Sequence, residues 1–378
     1  MTSEDVRDCQ KTAKRIVVKV GSSTLTNAGR PRPQKFGKLA ESISQLIDDG
    51  REVVLVSSGA VAMGSQRLGW DHAGRSIPEK QAAAAIGQIG LVEVYRRRFA
   101  ALGKEVGQVL LTRTGLEDRE RFLNARHTLQ ELLRLGTVPI VNENDMVATE
   151  EIRFGDNDNL SATIVNLVGA DLLVILTDVE GLYEEKPVAG RRKPRLIEVV
   201  EQITPEIEAS ATGTDSEFGR GGMISKLEAA RSAALSGAAT VLCHGRGHDV
   251  LQRVVAGEPI GTLFLPGERI SSRKHWLAFS AGTKGSLVVD PGAARALKAD
   301  GSSLLPAGIL AVEGRFGIGD PVLCVTEDGH ELARGLPAYS AEEINQIKGI
   351  AAKEISTVLG YSNGDAVIHR DDLVALDS

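Results

Sequence analysis

Apolar positions in the first two-thirds of the chain come in short unbroken runs rather than in alternation. RIVVKV (15–20), EVVLVSS (52–58), VGQVLLT (106–112), VPIVN (138–142), LLVILTD (172–178) and TVLCHG (240–245) are all rich in Val, Leu and Ile. A run of this length without a polar face suits a strand buried on both sides. Between the runs, apolar residues fall at helical spacing over 34–49, 79–102, 119–135, 159–169, 226–236 and 248–256. This alternation predicts an α/β protein, an αβα sandwich around a mainly parallel sheet. The pattern changes near Pro266-Gly267-Glu268-Arg269, and beyond residue 275 the segments shorten. There SLVVDPGAARAL reads as strand, turn and short helix. PVLCVTEDGHELARGL reads as a hairpin around Asp328-Gly329, and DAVIH (365–369) as a last strand. The expected division is a large domain over 1–267 and a smaller, mostly β domain over 275–378.

The strand ends add a second pattern. RIVVKV runs into Gly21-Ser22-Ser23-Thr24, EVVLV into Ser57-Ser58-Gly59-Ala60, VPIV into Asn142-Glu143-Asn144-Asp145, and LLVIL into Thr177-Asp178. Open α/β sheets bind ligands beyond the carboxyl ends of their strands, so four such ends predict one binding rim.

Composition narrows the choice. Aromatics make up only 4% of the chain, so the core is built from Val, Leu, Ile and Ala, which favours α/β over an aromatic-rich β-sandwich. A net charge of −6 argues against a general polyanion binder. Cys9, Cys243 and Cys324 are too few and too far apart for a disulfide framework or a CxxC site. The opening MTSEDVRDCQ is unlike a signal peptide, and runs such as LLVIL are too short to span a bilayer, so a soluble cytoplasmic protein is expected.

Several stretches are candidates for chemistry, each beside a plainer reading. Lys19 sits inside an apolar strand, where it either meets an anion or reaches solvent from an edge. Ser57–Gly64 is either an anion-binding turn or a tight strand–helix turn. Phe218–Lys226 (FGRGGMISK) is either a lid over phosphates or an ordinary glycine-rich loop; it does not match the P-loop spacing. Thr177 and Asp178 could meet a ribose or a base edge, or form a simple turn. Residues 142–159, NENDMVATEEIRFGDNDN, hold six Asp or Glu, four Asn and one Arg. The Ca²⁺-loop pattern fails there, and the stretch has no His for zinc, so no residue is assigned to a metal. Helix capping by Asp158 or Asn159 accounts for the end of the stretch but not for Asn142, Asn144 and Asp145.

Read together, VVKVGSSTLT (17–26), VSSGAVAMG (56–64), LLTRTGLEDRERFLNAR (110–126), NENDMVATEEIRFGDNDNLSA (142–162), LTDVEGLY (176–183) and GRGGMISK (219–226) resemble the amino-acid kinase family. Within it they look most like members that phosphorylate the side-chain carboxylate of L-glutamate. GSSLLPAGILAVEGRFGIGD and the closing HRDDL look like the PUA-type C-terminal domain of those members. The resemblance implies ATP as co-substrate with Mg²⁺, proline as feedback inhibitor, and a homo-oligomer, dimer or tetramer. It implies that Lys19 and Lys226 neutralise the transferring phosphoryl group and that Asp158 orients them. Gly21, Thr177, Asp178, Gly221, Gly222 and Met223 fall at nucleotide-binding positions, with Gly21, Gly221 and Gly222 letting backbone amides approach phosphates. Ser58, Asp145 and Asn157 match glutamate-binding positions. Asp145 and Asp156 suit the ammonium of glutamate; Asn142, Ser58 and Arg126 suit its α-carboxylate. Two positions depart from the family pattern: Arg153, where a lysine is expected, and Arg220, where a threonine is common.

The alternatives predict other features. Relatives acting on acetylglutamate, aspartate or UMP share the fold, but NEND followed by GDNDN favours glutamate. RNA binding by the C-terminal domain is disfavoured, because residues 276–378 carry 8 Lys and Arg against 14 Asp and Glu. A dinucleotide oxidoreductase would show G-x-G-x-x-G after the first strand, where this chain has Gly21-Ser22-Ser23-Thr24-Leu25-Thr26.

Overall fold

The computed structural model describes residues 5–27, 30–147, 157–185, 194–211, 222–245, 247, 249–269, 271–300 and 302–376. The chain forms two compact units, Met1–Leu116 with Glu120–Ile270, and Ser271–Ser378 with Glu117–Arg119.

The first unit is built on an eight-stranded sheet. Its strands are β1 (Arg15–Val20), β2 (Glu52–Ser57), β3 (Val106–Leu111), β4 (Val138–Glu143), β5 (Leu172–Thr177), β6 (Val199–Val200), β7 (Ala239–His244) and β8 (Thr262–Phe264), in the order β3-β4-β2-β1-β5-β7-β8-β6. The strands from β3 across to β7 are parallel; β8 runs antiparallel to β7 and carries β6 at the edge. β1 is central, with Val18 opposite Leu55 on one side and Val174 on the other. The six expected strands all form, each within about a residue of its predicted ends. β6 and β8 were not expected, because strands this short carry too little pattern to read.

The main helices are α1 (Pro33–Asp48), α2 (Ala60–Arg67), α3 (Ile77–Ala100), α4 (Arg119–Arg134), α5 (Asn157–Val168), α6 (Met223–Leu235) and α7 (Val250–Val255). Ile16, Val18 and Val20 of β1 join Val53, Leu55, Leu172 and Val174 in a core covered by α1, α3 and α7. Side chains alternate along a strand, so Lys19 must face the other side, where α5 and α6 pack on β1, β5 and β7. The helix expected from residue 159 begins at Asn157. Asp158 and Asn159 therefore lie inside α5 and are not its caps, and their side chains reach other elements. α2 was not expected. It packs on α3 main chain to main chain: a Cβ on Gly64 would stand 1.7 Å from the Ala83 carbonyl oxygen, and one on Gly87 1.8 Å from that of Ala60.

The second unit holds a five-stranded sheet of β9 (Gly285–Val289), β10 (Ile309–Gly314), β11 (Val322–Val325), β12 (Glu331–Gly335) and β13 (Leu373–Ala375), ordered β10-β9-β11-β12-β13. The expected hairpin is present: β11 pairs antiparallel with β12, and Gly329 in the turn has φ 85°. The expectation for 365–369 fails. Ile368 makes one isolated bridge to Leu304, and the last strand is β13. Val367 and Ile368 are consecutive and both fully buried, which a one-faced strand cannot achieve. Among the described residues, no helix is long and apolar enough to cross a membrane.

Candidate active site

Three charged residues, far apart in the chain, meet at the carboxyl end of the sheet. Lys19 is the penultimate residue of β1, Asp158 the second of α5 and Lys226 the fourth of α6. Lys19 Nζ lies 2.6 Å from Asp158 Oδ1, and Lys226 Nζ 3.1 Å from Asp158 Oδ2. Ser225 Oγ donates to the same Oδ2 at 2.9 Å. Asp158 is 1% exposed, and each lysine 7%. Burial pushes the Asp158 carboxyl up, but the charges of Lys19 and Lys226 outweigh it and hold the group at about 2. One carboxylate between two ammonium groups leaves an excess positive charge in a poorly solvated place. Such a place favours an arriving anion.

A neutral row starts one residue earlier on α5. Asn157 Nδ2 donates to Ser58 Oγ at 2.7 Å and to Asn142 Oδ1 at 3.1 Å. Asn142 Nδ2 donates in turn to Gln88 Oε1 at 2.9 Å. Asn142 and Asn157 are buried. Ser58 follows the last residue of β2, its N–H donates to the Val20 carbonyl, and Gly59 after it has φ 117°, a conformation that suits glycine. The neighbouring Ser57 is hydrogen-bonded to the fully buried Tyr95 hydroxyl at 2.9 Å, which ties this strand end to α3. Two polar atoms of the row, Asn157 Oδ1 and Gln88 Nε2, are buried and have no partner among the described residues.

The residues expected on the nucleotide side lie along the same rim. Gly21 follows β1, and a Cβ there would stand 3.9 Å from Lys19 Nζ. Its own N–H donates to the Leu176 carbonyl at 3.2 Å. The Gly21 amide is therefore used within the sheet, and the residue leaves space beside the Lys19 ammonium. Thr177 is buried and its hydroxyl donates to Asp178 Oδ1 at 3.1 Å, while Asp178 is exposed. Gly222 caps α6 and Met223 opens it, buried. Asp145 is half-buried in the turn after β4, and Arg126 is half-buried on α4. Arg153, Asp156, Arg220 and Gly221 lie outside the described residues.

Residues 14–244 match the model of the amino acid kinase family. The chain belongs to the amino acid kinase family. Residues 285–359 match the PUA domain. The chain is 50% identical to the glutamate 5-kinase of Geobacter sulfurreducens over 368 residues, 96% of this chain and 98% of that protein. It is 50% identical to the glutamate 5-kinase of Burkholderia thailandensis over 366 residues and 51% identical to that of Burkholderia mallei over 366 residues, with the same coverage.

Two residues of the candidate site, Ser225 and Gln88, were not expected from the sequence. Ser225 stands within the quoted GRGGMISK motif, but only the first turn of α6 brings its hydroxyl to Asp158. Gln88 lies in AAAAIGQIG, where the one polar residue in an Ala- and Gly-rich helix face was the available signal.

Proposed function

We propose that the chain transfers the γ-phosphoryl group of ATP to the side-chain carboxylate of L-glutamate, giving L-glutamyl 5-phosphate and ADP, the first step of proline biosynthesis. The observation that carries this reading is the junction at Asn157 and Asp158. Consecutive residues anchor a cationic cluster and a neutral amide row on one rim.

The chemistry suits those groups. A glutamate side chain has an ordinary pKa of about 4.3, so the nucleophile is already ionised at neutral pH and needs no general base. Neither cluster contains a His. A carboxylate oxygen attacks the γ-phosphorus as the bond to the ADP oxygen breaks, and the difficulty is bringing two anions together. Lys19 and Lys226 neutralise the charge on the phosphoryl oxygens, and Asp158 holds both ammonium groups in place. Gly21 leaves room for the phosphate, with Thr177, Asp178, Gly221, Gly222 and Met223 holding the rest of the nucleotide. Ser58, Asn142, Asn157, Asp145, Asp156 and Arg126 hold the amino acid.

Both Asp158 oxygens already face lysines, and among the described residues no group of three or more His, Cys, Asp or Glu stands together. Asp158 is thus committed to the two lysines, and a Mg²⁺ brought with the nucleotide would supply further neutralisation of phosphate charge beside them.

Proline as feedback inhibitor, a homodimer or tetramer and a cytoplasmic location belong to the same proposal. They rest on the family resemblance; proline titration and sedimentation test the first two. The reading gives RNA no part.

The direct test couples ADP release to hydroxylamine trapping of an acyl phosphate, with glutamate, aspartate, acetylglutamate and UMP as acceptors. Hydroxamate formed from glutamate is the expected result. Turnover with another acceptor and none with glutamate would sink the assignment.

A further inference from the structure

Gln88 has no role in the function as stated, yet it ends the amide row. The row has a direction. Asn157 spends both amide hydrogens on Ser58 and Asn142, and Asn142 passes one on to Gln88 Oε1. This leaves a free acceptor at one end, Asn157 Oδ1, and a free donor at the other, Gln88 Nε2, both buried. Other buried side-chain atoms among the described residues also lack a partner, but these two stand at opposite ends of one hydrogen-bonded row beside the cationic cluster, and that placement points to a ligand that supplies them. That ligand must offer a donor to one end of the row and an acceptor to the other, which the ammonium and α-carboxylate of an amino acid do. Position also separates the two ends. The reacting carboxylate belongs beside Lys19 and Lys226, next to Asp158, and Gln88 is the member of the row farthest along from Asp158. Its backbone is held firmly, because the adjacent Gly87 packs directly on the Ala60 carbonyl.

We propose that Gln88 is a specificity-determining residue whose Nε2 donates to the α-carboxylate of the bound amino acid while its Oε1 fixes Asn142. This rests on the reading of the site as an amino-acid phosphorylating centre.

Two substitutions separate contact from mere support. Gln88→Glu keeps the shape and the acceptor for Asn142 but turns the donor into an anionic oxygen facing the α-carboxylate. The glutamate KM should rise about 30-fold or more, with the ATP KM within about twofold. Gln88→Met removes both functions, and its glutamate KM should rise only about 5- to 10-fold. Isoglutamine, with a neutral amide in place of the α-carboxylate, should gain on glutamate in kcat/KM in the Gln88→Glu variant relative to wild type. Circular dichroism and the ATP KM report whether each variant is folded.

If Gln88 only supports Asn142, Gln88→Glu leaves the glutamate KM within about twofold while Gln88→Met raises it, and the proposal is overturned. A parallel rise in both KM values in folded protein overturns it too. Wild-type turnover is measured first. If it requires another amino acid, the proposed function fails while the Gln88 comparison is read on that amino acid. If it requires an acceptor without an α-carboxylate, both fail.

Discussion

Asn157 and Asp158 are neighbours in one buried helical turn, yet they organise two different kinds of site. Asp158 gathers two lysines and a serine into a cluster with excess positive charge. Asn157 gathers a serine, a second asparagine and, through it, a glutamine into a row with no charge. The difference matches the two partners. A triphosphate needs neutralisation, and a zwitterionic amino acid needs matched donors and acceptors that do not repel either of its charges. Because both sets hang on one turn of α5, the proposed function has a single rigid element position the reacting carboxylate and the γ-phosphate.

The sharpest way to break this contrast is Asp158→Asn. It leaves two buried ammonium groups without their anion, so stability should fall by about 3–5 kcal/mol in a chemical denaturation series. Turnover should drop about 1000-fold or more once both lysines lose their anchor. Normal turnover would remove Asp158 from the charge-neutralising role. Next comes Lys226→Met, for which we expect kcat lowered about 100- to 1000-fold with the glutamate KM nearly unchanged. Asn157→Ala should do the reverse, raising the glutamate KM about 10- to 100-fold with a smaller loss of kcat. If Asn157→Ala instead raises the ATP KM as strongly as the glutamate KM, the two regions are one site and the contrast is lost.

The smallest effect is on pH. The Asp158 carboxyl lies at about 2 when folded against an ordinary value of 3.8, so the folded state binds its proton less tightly than the unfolded state. Its stabilisation is present in full above the unfolded value and is lost as pH falls through the folded one. The stability gap between wild type and Asp158→Asn should therefore hold from neutrality to about pH 4.5 and narrow below it. With no His acting as base, kcat should show no inflection between about pH 6 and 8. A bell-shaped profile centred there would point to a general base that the two clusters do not contain.

Legibility was uneven for physical reasons. Lys19 stood out because a lysine inside RIVVKV breaks a run that otherwise has no polar face. The strand ends were legible because small and polar residues interrupt apolar runs sharply. DAVIH looked like a strand because Ala, Val and Ile are together there, but the segment makes only the isolated bridge of Ile368 with Leu304. Asp158 and Asn159 looked like caps because Asp and Asn favour helix starts. The Asp158 side chain instead faces two lysines, and Asn159 Nδ2 donates to Glu228 Oε2 at 3.2 Å. Gly21 was expected to let backbone amides approach a phosphate, and its own N–H extends the sheet by donating to the Leu176 carbonyl.

By itself, then, the sequence determined what depends on neighbours in the chain. The period of apolar positions settled the six longer strands of the large sheet and the six helices expected between them, and strand alternation settled that Lys19 turns away from the face of Val18 and Val20. The break of each run settled where the rim lies. Only the tertiary structure decided which lysines share Asp158, which amides form the row, and which polar atoms at its ends remain unsatisfied. Those outcomes depend on the packing of α3, α5 and α6 against strands distant in sequence, and no local periodicity encodes a hydrogen bond between side chains that far apart.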